Sequence, residues 1–145
     1  MSLVKKIKAV ADGLGLQFLY DQGAGLEAMI EEADFSDGKV VLFAFPLSLV
    51  NFVDGRESGQ FGIFFSQVGD IENTGMMNDD IQDNCKAVAF QFLKAIDTGN
   101  TLTYEAPTLR RFFDEFHVAV TGVAITANFA ERVGLVDCFV KPEGD

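Results

Sequence analysis

The clearest pattern of hydrophobic and polar positions is the helical one in residues 78–99, NDDIQDNCKAVAFQFLKAIDTG. At about 100° per residue, one stripe of this segment is apolar, and it contains Ile81, Cys85, Val88, Ala89, Phe92, Leu93 and Ile96. Asn78 is a suitable N-cap and Gly99 a suitable C-terminal stop, so the sequence predicts one long amphipathic helix. Phe90 breaks the pattern because it projects about 180° from Ile81, among charged residues. We therefore expect Phe90 to face a partner.

Two strand-like segments are apolar on both of their alternating faces. Residues 39–45 (KVVLFAF) and 61–68 (FGIFFSQV) are rich in β-branched and aromatic residues. A sheet with two apolar faces needs a cover on each face, and the chain has only one long predicted helix. We expect the second face to be covered either by another subunit or, within the chain, by residues 47–53 and the N-terminal helices.

The remaining segments predict shorter elements. They are a helix capped by Ser2 and ending near Gly13 or Gly15, a strand Gln17–Tyr20, a helix from Gly25 to about Ala33, a strand at 101–104, a segment at 109–113 beyond Pro107, and a strand at 116–130 that Gly122 divides by a bulge or bend. This order predicts an α+β fold, in which a mostly antiparallel sheet is packed by one long amphipathic helix plus short N-terminal helices. We expect a single domain over residues 1–140 and a flexible C-terminal tail at 141–145.

Composition narrows the possible partners. The chain has 145 residues, 48% of them hydrophobic, and a net charge of −11. Such an acidic surface is unsuited to holding nucleic acid through its phosphates, although it suits a channel through which DNA slides without sticking. No run approaches 18 apolar residues and no secretion signal is recognisable, so we expect no membrane association. Two cysteines are too few for a disulfide framework, which favours a reducing compartment.

Four features could carry chemistry, and each has a simpler structural interpretation. Residues 23–28 match G-x-G-x-x-A, but the βαβ pattern and the acidic residue of a dinucleotide site do not follow, so we interpret them as a turn that starts a helix. Residues 79–83 spell D-D-x-x-D, which can bind magnesium and diphosphate, or can simply place carboxylates near a helix N-terminus. His117 is the only histidine, and neither Cys85 nor Cys138 has a catalytic signature around it. We predict no catalytic, metal or cofactor-binding residues and no cofactor.

A polar, glycine-rich segment between the two apolar strands is the second candidate interface besides Phe90. It consists of Asp54, Gly55, Arg56, Glu57, Ser58 and Gly59. Such a composition is typical of a mobile loop or a hairpin tip. We expect this loop to become ordered against a neighbouring molecule.

The layout of the whole chain resembles one family more than any single motif does. The residues that carry the resemblance are Gln17–Tyr20 after the N-terminal helix, 39–46 followed by 62–69, Cys85-x-x-x-Ala89-x-x-Phe92-Leu93 in the long helix, and 113–128 leading to Asp137-Cys138. In this order the chain resembles the small α+β tail-terminator and tail-completion proteins of tailed bacteriophages and prophages.

The resemblance implies a virion structural protein without a cofactor or an active site. Members assemble as a ring, usually of six subunits, on the end of the tail tube and meet the head–tail connector. The expected locations are the bacterial cytoplasm during assembly and then the tail or neck of the virion. Two alternatives stay open: a cytoplasmic protein-interaction module, and a small-ligand-binding protein or enzyme that uses residues 23–25 or the acids at 79–83.

Overall fold

A computed structural model describes residues 2–20, 33–36, 39–53, 55–68, 75–113 and 120–132, and the statements below concern these residues. The elements in chain order are α1 (Leu3–Gly13), β1 (Gln17–Tyr20), β2 (Val41–Pro46), β3 (Asn51–Val53), β4 (Arg56–Val68), α2 (Gly75–Thr98), β5 (Leu102–Phe113) and β6 (Val120–Glu131). The predicted helix from Gly25, the glycine motif at 23–28, Asp54, His117, Cys138 and the tail at 141–145 lie outside the described residues, apart from Ala33 at the end of that predicted helix.

The strands form one six-stranded sheet in the order β1-β2-β4-β6-β5, and β3 pairs with β4 beyond the end of β2. Only β1 and β2 are parallel, and the other pairs are antiparallel. The predicted α+β class with a mostly antiparallel sheet is therefore confirmed. The long pairing of β4 with β6, from Ser58↔Ala130 to Val68↔Val120, forms the middle of the sheet.

Both helices lie on the same face of the sheet and bury the main core. The buried side chains include Leu3, Ile7 and Ala11 of α1, Cys85, Ala89, Phe92 and Ile96 of α2, and Phe61, Ile63, Phe65, Val123, Ile125 and Phe129 of the central strands. The rings of Phe65 and Phe92 meet edge to face with centroids 5.5 Å apart. Ser2 caps α1 as predicted, because its hydroxyl accepts the Lys5 N–H at 3.2 Å.

The second face of the sheet is also apolar, as the alternation of β2 and β4 predicts. Val41 and Phe43 are fully buried there, and Phe35 packs against this cluster and against a neighbouring one that contains Phe112. The short segment 33–36 therefore covers part of this face. The interpretation that the N-terminal helix α1 covers it is wrong, because the buried row of α1 packs on the opposite face.

The beginning of α2 differs from the prediction, and its end agrees. The helix begins at Gly75, about one turn before Asn78, so Asn78 is not its cap. No helix breaker lies between Gly75 and Asn78 to stop the first turn from forming, which is why a capping residue alone misplaced the boundary. At the other end, the Gly99 N–H bonds to the carbonyls of Ala95 and Ile96, both at 3.1 Å.

Two predicted interruptions in the last strands are also corrected. The segments on either side of Pro107 form one strand, β5, which continues through a bulge where Ala106 has φ +52. Gly122 does not divide β6, which pairs without a shift along its whole contact with β4. A Cβ atom at position 122 would lie 1.9 Å from the carbonyl oxygen of Phe65, so glycine is needed there for the close approach of β4.

Candidate interaction surface

The predicted interface loop at 54–59 is mostly a strand. Gly55, with φ +79, belongs to the tight turn, while residues 56–59 belong to β4. An Asp-Gly pair favours a two-residue hairpin turn, so β3 and β4 pair directly on either side of it, at Val53↔Arg56. Ser58 also pairs with Ala130 of β6, so residues 56–58 are paired. Of the two predicted forms, a mobile loop and a hairpin tip, the hairpin tip is therefore confirmed.

The residues just before this turn form the most exposed apolar surface of the described chain. We call residues 47–52 the apolar arm. Four of its side chains are exposed: Leu47 by 53%, Leu49 by 86%, Val50 by 39% and Phe52 by 72%. The other large hydrophobic side chains exposed in the described residues, Val68, Phe90 and Leu109, lie apart from it along the chain. Contiguous exposed apolar patches are rare on monomeric proteins and are common at interaction sites.

A bulge in the strand pairing holds the apolar arm in place. Pro46 pairs with Phe61 and Asn51 pairs with Ser58, so the four residues 47–50 face only Gly59 and Gln60. The Leu47 N–H donates to the Gln60 carbonyl at 2.8 Å, and the Ser48 hydroxyl accepts the Gln60 N–H at 3.0 Å. The backbone of the arm is therefore partly fixed while its apolar side chains stay exposed.

Polar contacts anchor the base of the arm to α1 and β6. The Glu57 carboxylate accepts the Leu3 N–H at 2.7 Å, at the N-terminus of α1, where the helix dipole favours negative charge. The Glu57 N–H in turn donates to Glu131, which pairs with Lys6 at 2.7 Å. Burial raises the pKa of Glu131, but the hydrogen bonds from Lys6 and from the Glu57 N–H outweigh it, and the pKa is lowered.

Phe90 lines a second apolar feature, the groove between α2 and β5. Its side chain is 52% exposed, as its position in the helical pattern predicts, and the Lys86 ammonium lies 5.8 Å from the ring centroid. The α2–β5 groove has a volume of about 140 Å³ and is lined by Phe90, Leu93, Pro107, Thr108, Leu109 and Ile125. None of the residues 55–59 lines this groove, so Phe90 and the polar segment, the two predicted interface regions, lie on separate surfaces.

The D-D-x-x-D residues join α2 to β5 at one end of this groove. The Arg111 guanidinium bonds to the carboxylates of Asp79 and Asp83, the second at 2.6 Å, and to the Gln82 side chain at 3.3 Å. Past the other end, the Tyr104 hydroxyl donates to Asp97 at 3.1 Å. Two of the three carboxylates of the D-D-x-x-D motif therefore hold an arginine. Within the described residues, no group of three or more His, Cys, Asp and Glu could hold a metal ion.

Cys85 lies in the core rather than in a site. Its Sγ atom is 3.9 Å from the Gln67 side-chain oxygen, and burial raises the pKa of the thiol to about 12. A thiol with so high a pKa is a poor nucleophile near neutral pH. Cys85 is therefore a packing residue of the main core.

Sequence reasoning missed the apolar arm because it considered residues 47–53 only as an alternative, internal cover for the second face of the sheet. A signal was present: the run LSLVNFV follows a strand-ending proline, contains no charged residue and stops at an Asp-Gly turn. Only the last three residues of this run, β3, pair as a strand, so the rest of the run stays outside the regular sheet.

Comparison of the sequence with known protein families and with curated proteins finds no match. Neither helix in the described residues combines the length and the apolar character needed to cross a membrane.

Proposed function

We propose that this protein is a non-enzymatic structural subunit that self-associates, with the apolar arm as its main assembly surface. The observation that carries the proposal is the concentration of exposed Leu47, Leu49, Val50 and Phe52 on one uncharged segment. In a chain with a net charge of −11, an uncharged apolar arm is the surface where two copies can meet with the least repulsion. The arm needs no cofactor to act in this way.

The biological setting that we propose is the neck of a phage or prophage tail. The resemblance to tail-terminator and tail-completion proteins supports this setting, as does the α+β class of the fold. In such a ring α2 is the single long amphipathic helix, which packs on the sheet by its buried row and leaves Phe90 for a neighbour. The subunits meet the tail tube and the head–tail connector, and their acidic surface lets DNA pass without binding it.

The experiment that tests the proposal measures assembly in three forms of the protein. Light scattering across a concentration series, followed by negative-stain imaging, compares the wild type with Leu49→Asp and with Val68→Asp. Val68 is a matched control because its side chain is 54% exposed but lies outside the arm. We expect rings for the wild type and for Val68→Asp, and a folded monomer for Leu49→Asp.

Two results would count against the proposal. If the wild type stays monomeric at every concentration, the proposal of self-association is wrong. If Leu49→Asp assembles as well as the wild type, the arm is not the assembly surface. A closed dimer without rings supports the interaction-module interpretation instead, in which the same arm joins only two copies.

A further inference from the structure

We infer that the apolar arm of one copy docks in the α2–β5 groove of a second copy. This inference rests on the proposed function, because it names the surface that receives the arm. It makes the contact heterologous: each copy contributes its arm on one side and its groove on the other.

The α2–β5 groove is bounded by polar contacts that leave its apolar middle open. The Arg111 contacts hold α2 against β5 on one side, and the Tyr104–Asp97 hydrogen bond holds it on the other. Between them Ile125 is buried, while Phe90 is 52% and Leu109 is 37% exposed. The groove therefore has an apolar base and two half-exposed apolar edges, which suits an apolar side chain.

The arm and the groove lie on opposite edges of the sheet. One row of paired residues crosses this end of the sheet in the order Asn51, Ser58, Ala130 and Thr103, which places β3 at one edge and β5 at the other. Three strand spacings of about 4.8 Å separate these edges. The arm therefore lies at the edge far from the groove of its own copy, and a contact between the two surfaces joins different copies.

Charge favours a second copy of this chain as the occupant. The segment 47–53 and the side chains that line the groove carry no charge. The nearby carboxylates of Asp79 and Asp83 are paired with Arg111, whereas Lys86 lies beside Phe90 and Lys94 is exposed one turn further along α2. These two ammonium groups at the rim reduce the repulsion between the groove and a neighbour whose net charge is −11.

The shape of β5 makes side-chain docking the favoured mode. A proline and a bulge interrupt its edge at Ala106 and Pro107, next to the groove. Such features block the addition of another strand. We therefore expect the side chains of the arm, rather than its backbone, to enter the groove. Because the two surfaces differ, the contact repeats from copy to copy and closes into a ring where the rotation allows it.

Disulfide cross-linking tests this arrangement in the full chain. Cys138→Ser removes the second thiol, and the buried Cys85 is kept. Phe52→Cys and Leu109→Cys are then made separately and together, with Leu49→Cys and Phe90→Cys as a second pair that allows for a shift in docking. After mild oxidation we expect covalent dimers only when both variants of a pair are mixed, and a ladder of multimers from each double variant.

The controls separate this inference from the proposed function. Phe52→Cys mixed with Val68→Cys should give no covalent dimer. If light scattering shows an oligomer but Phe52→Cys cross-links to itself and not to Leu109→Cys, the contact is symmetric: the inference is wrong and self-assembly through the arm stands. If the uncross-linked protein shows no oligomer at any concentration, the proposed function fails and the inference fails with it.

Discussion

Phe90 and Phe92 are two positions apart on α2, and their surroundings are opposite. Phe92 is fully buried and meets Phe65 edge to face, whereas Phe90 is half exposed at the rim of the α2–β5 groove. A side chain at each position therefore contributes to a different property. Phe92 contributes to the stability of the monomer, and in our proposal Phe90 contributes to assembly.

Phe92→Ala should lower the free energy of unfolding by about 3–5 kcal/mol, because it leaves a cavity between α2 and the sheet. Phe90→Ala, the matched control on the same helix, should change it by no more than about 0.5 kcal/mol. Equilibrium unfolding in urea measures both values. Equal losses in the two variants would contradict the assignment of the two faces.

Gly122→Ala should be severely destabilising, at the upper end of the overpacking range or about 3 kcal/mol, because the new Cβ meets the backbone carbonyl of Phe65. Gly62→Ala is the control in the neighbouring strand. Its Cβ would lie 3.6 Å from the flexible Leu47 side chain, which is an ordinary contact. Thermal unfolding of the two variants should separate them clearly, and similar melting temperatures would show that β4 and β6 can move apart.

At the level of elements, ion pairs and hydrogen bonds join the helices to the sheet. Arg111 joins β5 to α2, and Glu131 joins β6 to α1 and to the base of the arm. These ion pairs differ in their exposure to solvent. The side chains of Asp79 and Asp83 are more than half exposed, whereas that of Glu131 is 11% exposed. Solvent screening therefore weakens the ion pairs of Arg111 more than the ion pair between Lys6 and Glu131.

The double substitution Asp79→Asn and Asp83→Asn should reduce stability by no more than about 1 kcal/mol, since both ion pairs are exposed. Magnesium should leave the melting temperature of the wild type and of the double variant unchanged. A melting temperature that rises with magnesium in the wild type only would restore the metal-binding interpretation of residues 79–83.

Stability should fall in acid partly through Glu131. Its pKa is lowered in the folded protein, so its contribution is present above the ordinary glutamate pKa of about 4.3 and is lost as the pH falls through the lower, folded value. Urea unfolding from pH 6 downward should show a smaller loss for Glu131→Gln than for the wild type. Lys6→Met should also reduce the dependence of the free energy of unfolding on pH. If this dependence is the same in all three proteins, Glu131 does not contribute to the loss of stability in acid.

The sequence predicts features within an element better than features between elements. The buried row Cys85, Ala89, Phe92 and the exposure of Phe90 follow from the helical period alone. The arm depends on the pairing of Pro46 with Phe61 and of Asn51 with Ser58, which no local pattern contains. For the same reason Gly122 was mistaken for a bend, because the carbonyl that it accommodates belongs to a residue far away in the sequence.

At the level of the whole molecule, the acidic charge and the apolar arm act against each other. Copies with a net charge of −11 repel one another, and the burial of Leu49 and Phe52 offsets this repulsion in our proposal. The balance therefore depends on ionic strength, because the Debye length is only about 10 Å at 0.1 M salt.

Self-association should accordingly become tighter as sodium chloride is raised from low to physiological concentration. Sedimentation velocity at a fixed protein concentration measures the change, and Leu49→Asp should stay monomeric throughout. Weaker association with added salt would mean that ion pairs between copies, rather than the arm, hold the assembly together.

The position of β6 has a consequence for how the chain folds. Among the six strands of the described residues this one is synthesised last, yet it lies between β4 and β5 and pairs with both along most of its length. Ile63 and Ile125, for example, are partners from distant parts of the chain. Until β6 arrives, β4 and β5 each present an unpaired edge, and contacts between such distant residues form slowly. We therefore expect the sheet to remain incomplete until β6 has been synthesised, so that the surfaces for assembly become available together with the finished sheet.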